Sequence, residues 1–174
     1  MSNIIRKLHV GCGTVHLDGY VNIDLRFVNG VTDMIASCDD LPFDNETVDE
    51  IVSFHLIEHF DEPEAINIMT HWYNLLKKGG KLIIETPDVI QMAKQMLNAF
   101  EKEKRVRPGY IYGCHSKKGR ETILNDNHKW GYTQESLRAY LLDVGFEFVS
   151  TSCGTDYHAQ QADSSWFVRV EATK

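Results

Sequence analysis

Residues 8–13 run from an apolar segment straight into a glycine pair. Leu8-His9-Val10 leads into Gly11-Cys12-Gly13-Thr14, and a second run, Tyr20-Val21-Asn22-Ile23, ends in Asp24. Runs of this length, rich in β-branched residues or leucine, read as strands, and glycine at the break permits backbone torsions that other residues resist. In an open parallel sheet, ligands sit where strand C-termini meet such turns, and a carboxylate ending the next strand can accept from both hydroxyls of a ribose. A dinucleotide fingerprint adds a third glycine three positions on and places its acid roughly 20 residues later. Here the third glycine position is His16, and Asp24 follows Gly13 by 11 residues, so a phosphate cradle is not expected.

The rest of the chain alternates strand-like and helix-like patterns, the order of an α/β domain with a mostly parallel sheet. Val31–Ile35, Val48–Phe54 and Lys81–Glu85 continue the strand series. Asp61-Glu62-Pro63 reads as a cap with proline in the first turn, followed by Ala65, Ile66, Met69, Trp72, Tyr73 and Leu76 at helical spacing, with Gly79-Gly80 as the stop. A second helix is predicted from Asp88 to about Arg105, and a third from Thr133 through Leu137, Tyr140, Leu141 and Val144 to Gly145. Phe146–Thr151 and Trp166–Ala172 are predicted to close the sheet as an antiparallel hairpin. Thr14–Gly19 leaves only six residues for the first crossover, where a parallel connection normally takes a dozen or more, so a turn is expected in place of a first helix.

A chain of 174 residues is expected to form one domain. Eighteen Lys and Arg against 25 Asp and Glu give a net charge of −7, which disfavours a nucleic-acid partner that is gripped through its phosphates. No apolar run is long enough to span a bilayer, and residues 1–7 lack the apolar core of a signal peptide, so a cytoplasmic location with no membrane partner is expected. Cys12, Cys38, Cys114 and Cys153 are widely spaced without a Cys-x-x-Cys pair, and free thiols are expected.

The segment from Arg107 to Tyr132 fits neither period. It carries Gly109, Gly113, Gly119 and Gly131 among His115, Lys117, Lys118, Arg120, Asn125, Asp126, Asn127 and His128, and is expected to be a lid or substrate loop. His55-Leu56-Ile57-Glu58-His59 matches the His-x-x-Glu-His letters of the inverted zinc peptidases. On a helix, His55 and His59 would share a face with Glu58 as a base, yet the segment directly follows a strand and shows no third ligand, so no metal site is expected. His59 is expected to satisfy backbone groups, Asp88 to cap a helix, and Glu85 and Thr86 to end the fifth strand at the same sheet edge.

Five motifs in order, Leu8–Gly13, Gly19–Asp24, Leu41–Asp49, His55–His59 and Leu76–Leu82, resemble the class I S-adenosylmethionine-dependent methyltransferases, in particular a short-form branch like methyltransferase type 11. The resemblance spans residues 7 to about 90 motif by motif, with looser likeness at Asp126–Thr133 and Leu141–Phe146. It implies a Rossmann-like three-layer sandwich and S-adenosylmethionine as cofactor. It further implies that Gly11, Cys12 and Gly13 face the methionine part, Asp24 takes the ribose hydroxyls, Ser37, Cys38 and Leu41 frame the adenine, and His55 lies beside the sulfonium. Where the family places an acid for the adenine amino group, this chain has Ser37-Cys38, with Asp39 and Asp40 next.

The reaction so implied is in-line methyl transfer to a small molecule or a sugar-type acceptor, with His55 or His128 taking the acceptor's proton, since imidazole titrates near neutrality. Two alternatives are an S-adenosylmethionine-binding domain without transferase activity, which the short first crossover would suit, and a nucleotide-dependent oxidoreductase, weakened by the missing third glycine.

Overall fold

The computed structural model of the chain describes residues 6–104, 109–112, 127–153 and 166–174. Among the described residues, seven strands form one sheet: β1 (Lys7–Val10), β2 (Val21–Asp24), β3 (Met34–Ile35), β4 (Val48–Phe54), β5 (Leu76–Pro87), β6 (Phe148–Cys153) and β7 (Phe167–Thr173). Their order is β3-β2-β1-β4-β5-β7-β6. The first five pair in parallel, and β7 runs antiparallel between β5 and β6. This is the Rossmann-like α/β sheet with an antiparallel C-terminal pair that the sequence leads one to expect.

Among the described residues, four α-helices accompany the sheet: α1 (Glu62–Leu75), α2 (Val89–Glu103), α3 (Gly109–Tyr112) and α4 (Gln134–Val144). Their ends follow local chemistry. Asp61 accepts from the Glu64 N–H while the Glu64 carboxylate accepts from the Asp61 N–H, and Pro63 occupies the first turn of α1. Asp88 accepts from the N–H groups of Ile90 and Gln91 at the start of α2, and Thr133 forms a reciprocal cap with Ser136 on α4. Gly145, at φ 122°, ends α4 with its N–H on the carbonyls of Leu141 and Leu142. The stop of α1 differs from the sequence reading. The helix ends at Leu75 because Leu76 turns extended and pairs with Val48, and Gly79-Gly80 lies inside β5 beside a register shift between Val48 and Glu50. The glycines mark an irregular strand, not a helix end. Strand β6 begins at Phe148 because Phe146 is drawn into the core, edge-on to the Tyr73 ring at 5.0 Å.

Alternation along the strands sorts two apolar clusters onto the two sheet faces. On one, Leu8, Val10, Ile23, Ile51, Leu82 and Ile84 pack against Ala65, Ile68, Met69, Trp72, Leu137 and Leu141 of α1 and α4. On the other, Val52 and Phe54 pack with Leu17, Val15, Tyr20 and Ile83, so the loop between β1 and β2 lies where a helix would otherwise pack. The side chain of Asn22 holds that loop down. Its Oδ1 accepts from the Leu17 N–H at 2.8 Å, and its Nδ2 donates to the carbonyls of Leu17 and Tyr20 at 3.1 and 3.2 Å and to Oδ2 of Asp33 at 2.9 Å. His9, register partner of Asn22, adds a contact from Nδ1 to Oδ1 at 2.9 Å. One fully buried amide thus does the work of the absent first helix. Among the described residues, no helix is long and apolar enough to cross a membrane.

Candidate functional site

The C-terminal edge of the sheet gathers the singular residues. At the end of β1, Gly11 (φ 73°) and Gly13 (φ 56°) adopt the left-handed torsions that glycine tolerates, and the N–H groups of Gly11 and Cys12 both donate to the carbonyl of Ile23. The Gly13 N–H donates to Oδ2 of Asp24 at 2.8 Å, and the Arg26 N–H to Oδ1 at 2.9 Å. A carboxylate has about four acceptor sites, so two remain for a ligand's hydroxyls. A Cβ on Gly11 would come within 2.8 Å of the Leu56 side chain, whereas one on Gly13 would meet nothing within 4 Å. The turn therefore has open space at Gly13 beside a carboxylate that ends the neighbouring strand, an arrangement that fits a ribose-bearing cofactor.

Cys12 is fully buried, and its thiol is pushed up from its ordinary range by burial and then by the charge of Asp24. Cys38 and Leu41 are buried as well. The Cys38 thiol is pushed up to about 12, chiefly by burial, and its carbonyl accepts from the Trp72 indole at 2.8 Å. The Leu41 N–H donates to Nε2 of His71 at 3.0 Å, and the Ser37 hydroxyl hydrogen-bonds Asp39. Cys12, Cys38 and Leu41 thus fix the backbone of the turns from within the core, and Ser37 and Asp39 supply the polar groups at that end.

At the end of β4 the chain turns sharply. His55 takes a left-handed conformation (φ 53°), its N–H donating to the Glu85 carbonyl at 2.8 Å. Its Nδ1 lies 3.5 Å from Oε1 of Glu58, and its ring meets the Phe167 ring edge-on at 4.6 Å. The single turn Ile57–His59 follows, so His55 and His59 do not share a helical face. Glu58 is buried, and its Oε2 accepts from the Thr86 hydroxyl at 3.0 Å. Burial, the largest single influence on that carboxyl, pushes it up. The hydrogen bond from His55 and the charges of His55 and His59 together outweigh burial, and the net displacement is downward.

The far wall comes from residues 127–132. The N–H groups of Lys129 and Trp130 both donate to the Glu58 carbonyl, at 2.8 and 3.2 Å, and Tyr132 is buried in the core. Nδ1 of His59 contacts the Asn127 carbonyl, and Nδ1 of His128 the Ile111 carbonyl. The rings of His59 and His128 stand 5.4 Å apart. Glu58, Pro87, Val89, Met92, Ile111, Tyr112, His128 and Trp130 enclose a cleft of about 140 Å³. A roomier groove at the opposite sheet edge is lined by Lys7, Asp49, Glu50 and Lys77, whose charges are already paired with one another. In an open parallel sheet ligands sit at the strand C-termini, and the candidate site is placed there.

The structure brings Gly11, Gly13 and Asp24 together at one end of the edge, and His55, Glu58, His59 and His128 at the other. Leu56 packs on Gly11 and joins the two groups. His59 does bond backbone, but that of the distant Asn127 and not of a helix it begins. Residues 105–108 and 113–126 of the expected lid, with Arg107, Lys117, Lys118 and Arg120, lie outside the described residues. Asn22 as a structural hub and Glu58 as the link between His55 and the cleft emerge in the folded chain. The signal for Asn22 was on hand: His9 and Asn22 are polar residues inside strands, where asparagine is depleted.

Comparison with known proteins agrees with this geometry. The family described as "Methyltransferase domain" matches residues 8–151. Among solved structures, an S-adenosylmethionine-dependent methyltransferase from Archaeoglobus fulgidus superposes with a TM-score of 0.63 at 13% identity, covering 98% of this chain and 86% of that one. One from Methanosarcina mazei gives 0.62 at 15% identity over 100% and 94% of the two chains. One from Thermotoga maritima, described as a possible histamine N-methyltransferase, gives 0.59 at 18% identity over 97% and 82%. No curated protein matches in sequence. With the family matched over most of its length and the sheet order and glycine turn in place, the chain belongs to the S-adenosylmethionine-dependent methyltransferases of class I.

Proposed function

We propose that the chain transfers the methyl group of S-adenosylmethionine to a small molecule or sugar-type acceptor held in the cleft beside Glu58 and His128, with His55 taking the acceptor's proton. The observation that carries this reading is the placement of Glu58. Its carboxylate faces His55, while the residue itself lines the cleft of about 140 Å³, a volume suited to a small acceptor. The Thermotoga maritima neighbour, of similar length, is described as a possible histamine N-methyltransferase, and histamine is an acceptor of that size.

Bound at the glycine turn, the cofactor supplies a methyl already activated on a sulfonium. On the pattern of the family, Gly11 and Gly13 would face its methionine part and Asp24 would take its ribose hydroxyls. The chain's remaining task is to place the acceptor in line and keep water out, and positioning of this kind can contribute roughly 7–11 kcal/mol. His55 is set for proton transfer. With Nδ1 toward Glu58, its Nε2 is the basic nitrogen, and the imidazolium that forms is stabilised by the buried carboxylate 3.5 Å away. The edge of Phe167 keeps the ring from turning.

Incubation with methyl-labelled cofactor and a panel of hydroxy acids, amines, sugars and nucleotide sugars, read by mass spectrometry, is expected to give a labelled product. His55→Ala is expected to lower turnover at least tenfold while S-adenosylhomocysteine still binds. Label that enters only RNA or protein acceptors would overturn the small-acceptor reading, and unchanged turnover in His55→Ala would overturn the role of His55.

A further inference from the structure

We infer that Glu58, His59 and His128 form a site for a divalent transition metal of the zinc class at the edge of the cleft. One donor atom from each lies within 4.8 Å of the others. Ligand atoms on a tetrahedral zinc stand roughly 3.3 Å apart, so about 1 Å of side-chain movement closes the site.

The convergence is built, not incidental. Glu58 and His59 share the turn after β4, and His128 arrives from far along the chain because the Lys129 and Trp130 N–H groups are fastened to the Glu58 carbonyl. Both histidines are also held in one tautomer. A carbonyl only accepts, so Nδ1 of His59, 3.3 Å from the Asn127 oxygen, carries a proton, as does Nδ1 of His128, 3.0 Å from the Ile111 oxygen. In the neutral ring the lone pair is then on Nε2. Support of the second ring nitrogen by a carbonyl is the usual outer setting of a metal-ligating histidine. The Thr86 hydroxyl on Glu58 plays the same part for the carboxylate. His55, which the letter pattern offers as a ligand, stands outside the group as a partner of Glu58, and His128 is the third ligand that the linear sequence did not disclose.

Two imidazoles and one carboxylate suit zinc or its first-row neighbours, and three protein ligands leave a coordination position open. Glu58 and His128 both line the cleft, so that position is available to an acceptor oxygen there. The use of the metal as a Lewis acid rests on the transfer reading above and narrows it to acceptors with a hydroxyl or carboxylate; the existence of the site does not depend on it.

The test is a calorimetric titration of zinc ion into the untagged full chain after chelator treatment, with cobalt(II) absorption as an independent reading of coordination. Parallel samples carry His59→Ala, His128→Ala and Glu58→Gln, and every sample is titrated with S-adenosylhomocysteine and checked by circular dichroism. The expected result is a single equivalent of zinc in the parent, at least tenfold weaker in each variant, and cobalt bands that the two alanine variants lose. Zinc uptake equal in the parent and the folded alanine variants, or none in the parent, would overturn the site. Loss of zinc binding with S-adenosylhomocysteine retained bears on the metal alone, whereas zinc bound by a chain that takes no S-adenosylhomocysteine counts against the transfer reading and not the site.

Discussion

The backbone N–H of Gly13 donates to the carboxylate of Asp24 at 2.8 Å, so the residue expected to hold the cofactor's ribose also closes the glycine turn at the end of β1. Asp24→Asn replaces one acceptor oxygen by an NH2 group that faces another donor. A hydrogen bond to a charged group is worth about 1.5–3 kcal/mol. Binding of S-adenosylhomocysteine, followed by calorimetry, is expected to weaken between tenfold and a hundredfold.

The two glycines of the turn are expected to respond differently to alanine. Both have positive φ, which strains a side chain by about 1–2 kcal/mol. Only at Gly11 would the new Cβ also run into Leu56, at 2.8 Å. Gly11→Ala should therefore lower the melting temperature more than Gly13→Ala does. Gly13→Ala should weaken S-adenosylhomocysteine binding out of proportion to its effect on Tm, because its Cβ enters the open space beside Asp24 where the cofactor is proposed to bind.

Asn22→Ala removes the hub beneath the first crossover. It leaves the Leu17 N–H and the Tyr20 carbonyl without the amide that pairs them, and takes from the Leu17 carbonyl one of its two partners, the other being the Tyr20 N–H. The Asp33 carboxyl, held below the usual range first by the Asn22 N–H and then by the Asn22 side chain, keeps the first and loses the second. Buried groups left unsatisfied cost about 1–3 kcal/mol each, so a loss of about 3 kcal/mol or more is expected in urea titration. Amides of residues 14–20 should exchange faster than those of α1.

What was legible in the sequence follows the range of the interactions involved. The caps at Asp61, Asp88 and Thr133 and the stop at Gly145 are closed within four residues, so local spacing reveals them. Strands β1 and β4 carry their own apolar runs and appear as predicted. Strand β3 shrinks to Met34–Ile35 because Val31 and Thr32 fold back onto the Val28 carbonyl, a turn that competes with an equally apolar strand pattern. Glycine at 79 and 80 is ambiguous by itself, and pairing of Leu76 with Val48 decides the matter from another part of the chain. In the site, Gly11, Gly13, Asp24 and His55 can be read from the order of motifs. The approach of His128 to Glu58 cannot, since it depends on two backbone hydrogen bonds made across the cleft.

Alkaline titration should expose the buried thiol of Cys38. Its folded value of about 12 lies above the ordinary 9.0, raised first by burial and then by the charge of Asp39. Below pH 9 the thiol is neutral whether the chain is folded or not. Between 9 and 12 only the unfolded chain ionises, so stability present below 9 is lost as the pH rises through that window. Cys38→Ala should flatten this fall in denaturant titrations at pH 9 to 11, after allowance for the cavity it leaves.

With the role proposed for His55, its torsion would set activity against durability. At φ 53° a residue with a Cβ is held in a conformation that glycine would occupy at ease, and β5 keeps it there through the Glu85 carbonyl. His55→Gly relaxes the backbone, although a looser unfolded chain offsets part of the gain. The expected variant is an enzyme with slower turnover and a melting temperature equal to or above that of its parent, measured by calorimetric scanning beside the methyl-transfer assay. Selection for heat tolerance alone, with no demand for turnover, would then drift toward glycine at position 55, and the persistence of a histidine in so strained a place would mark a residue kept for the reaction it serves.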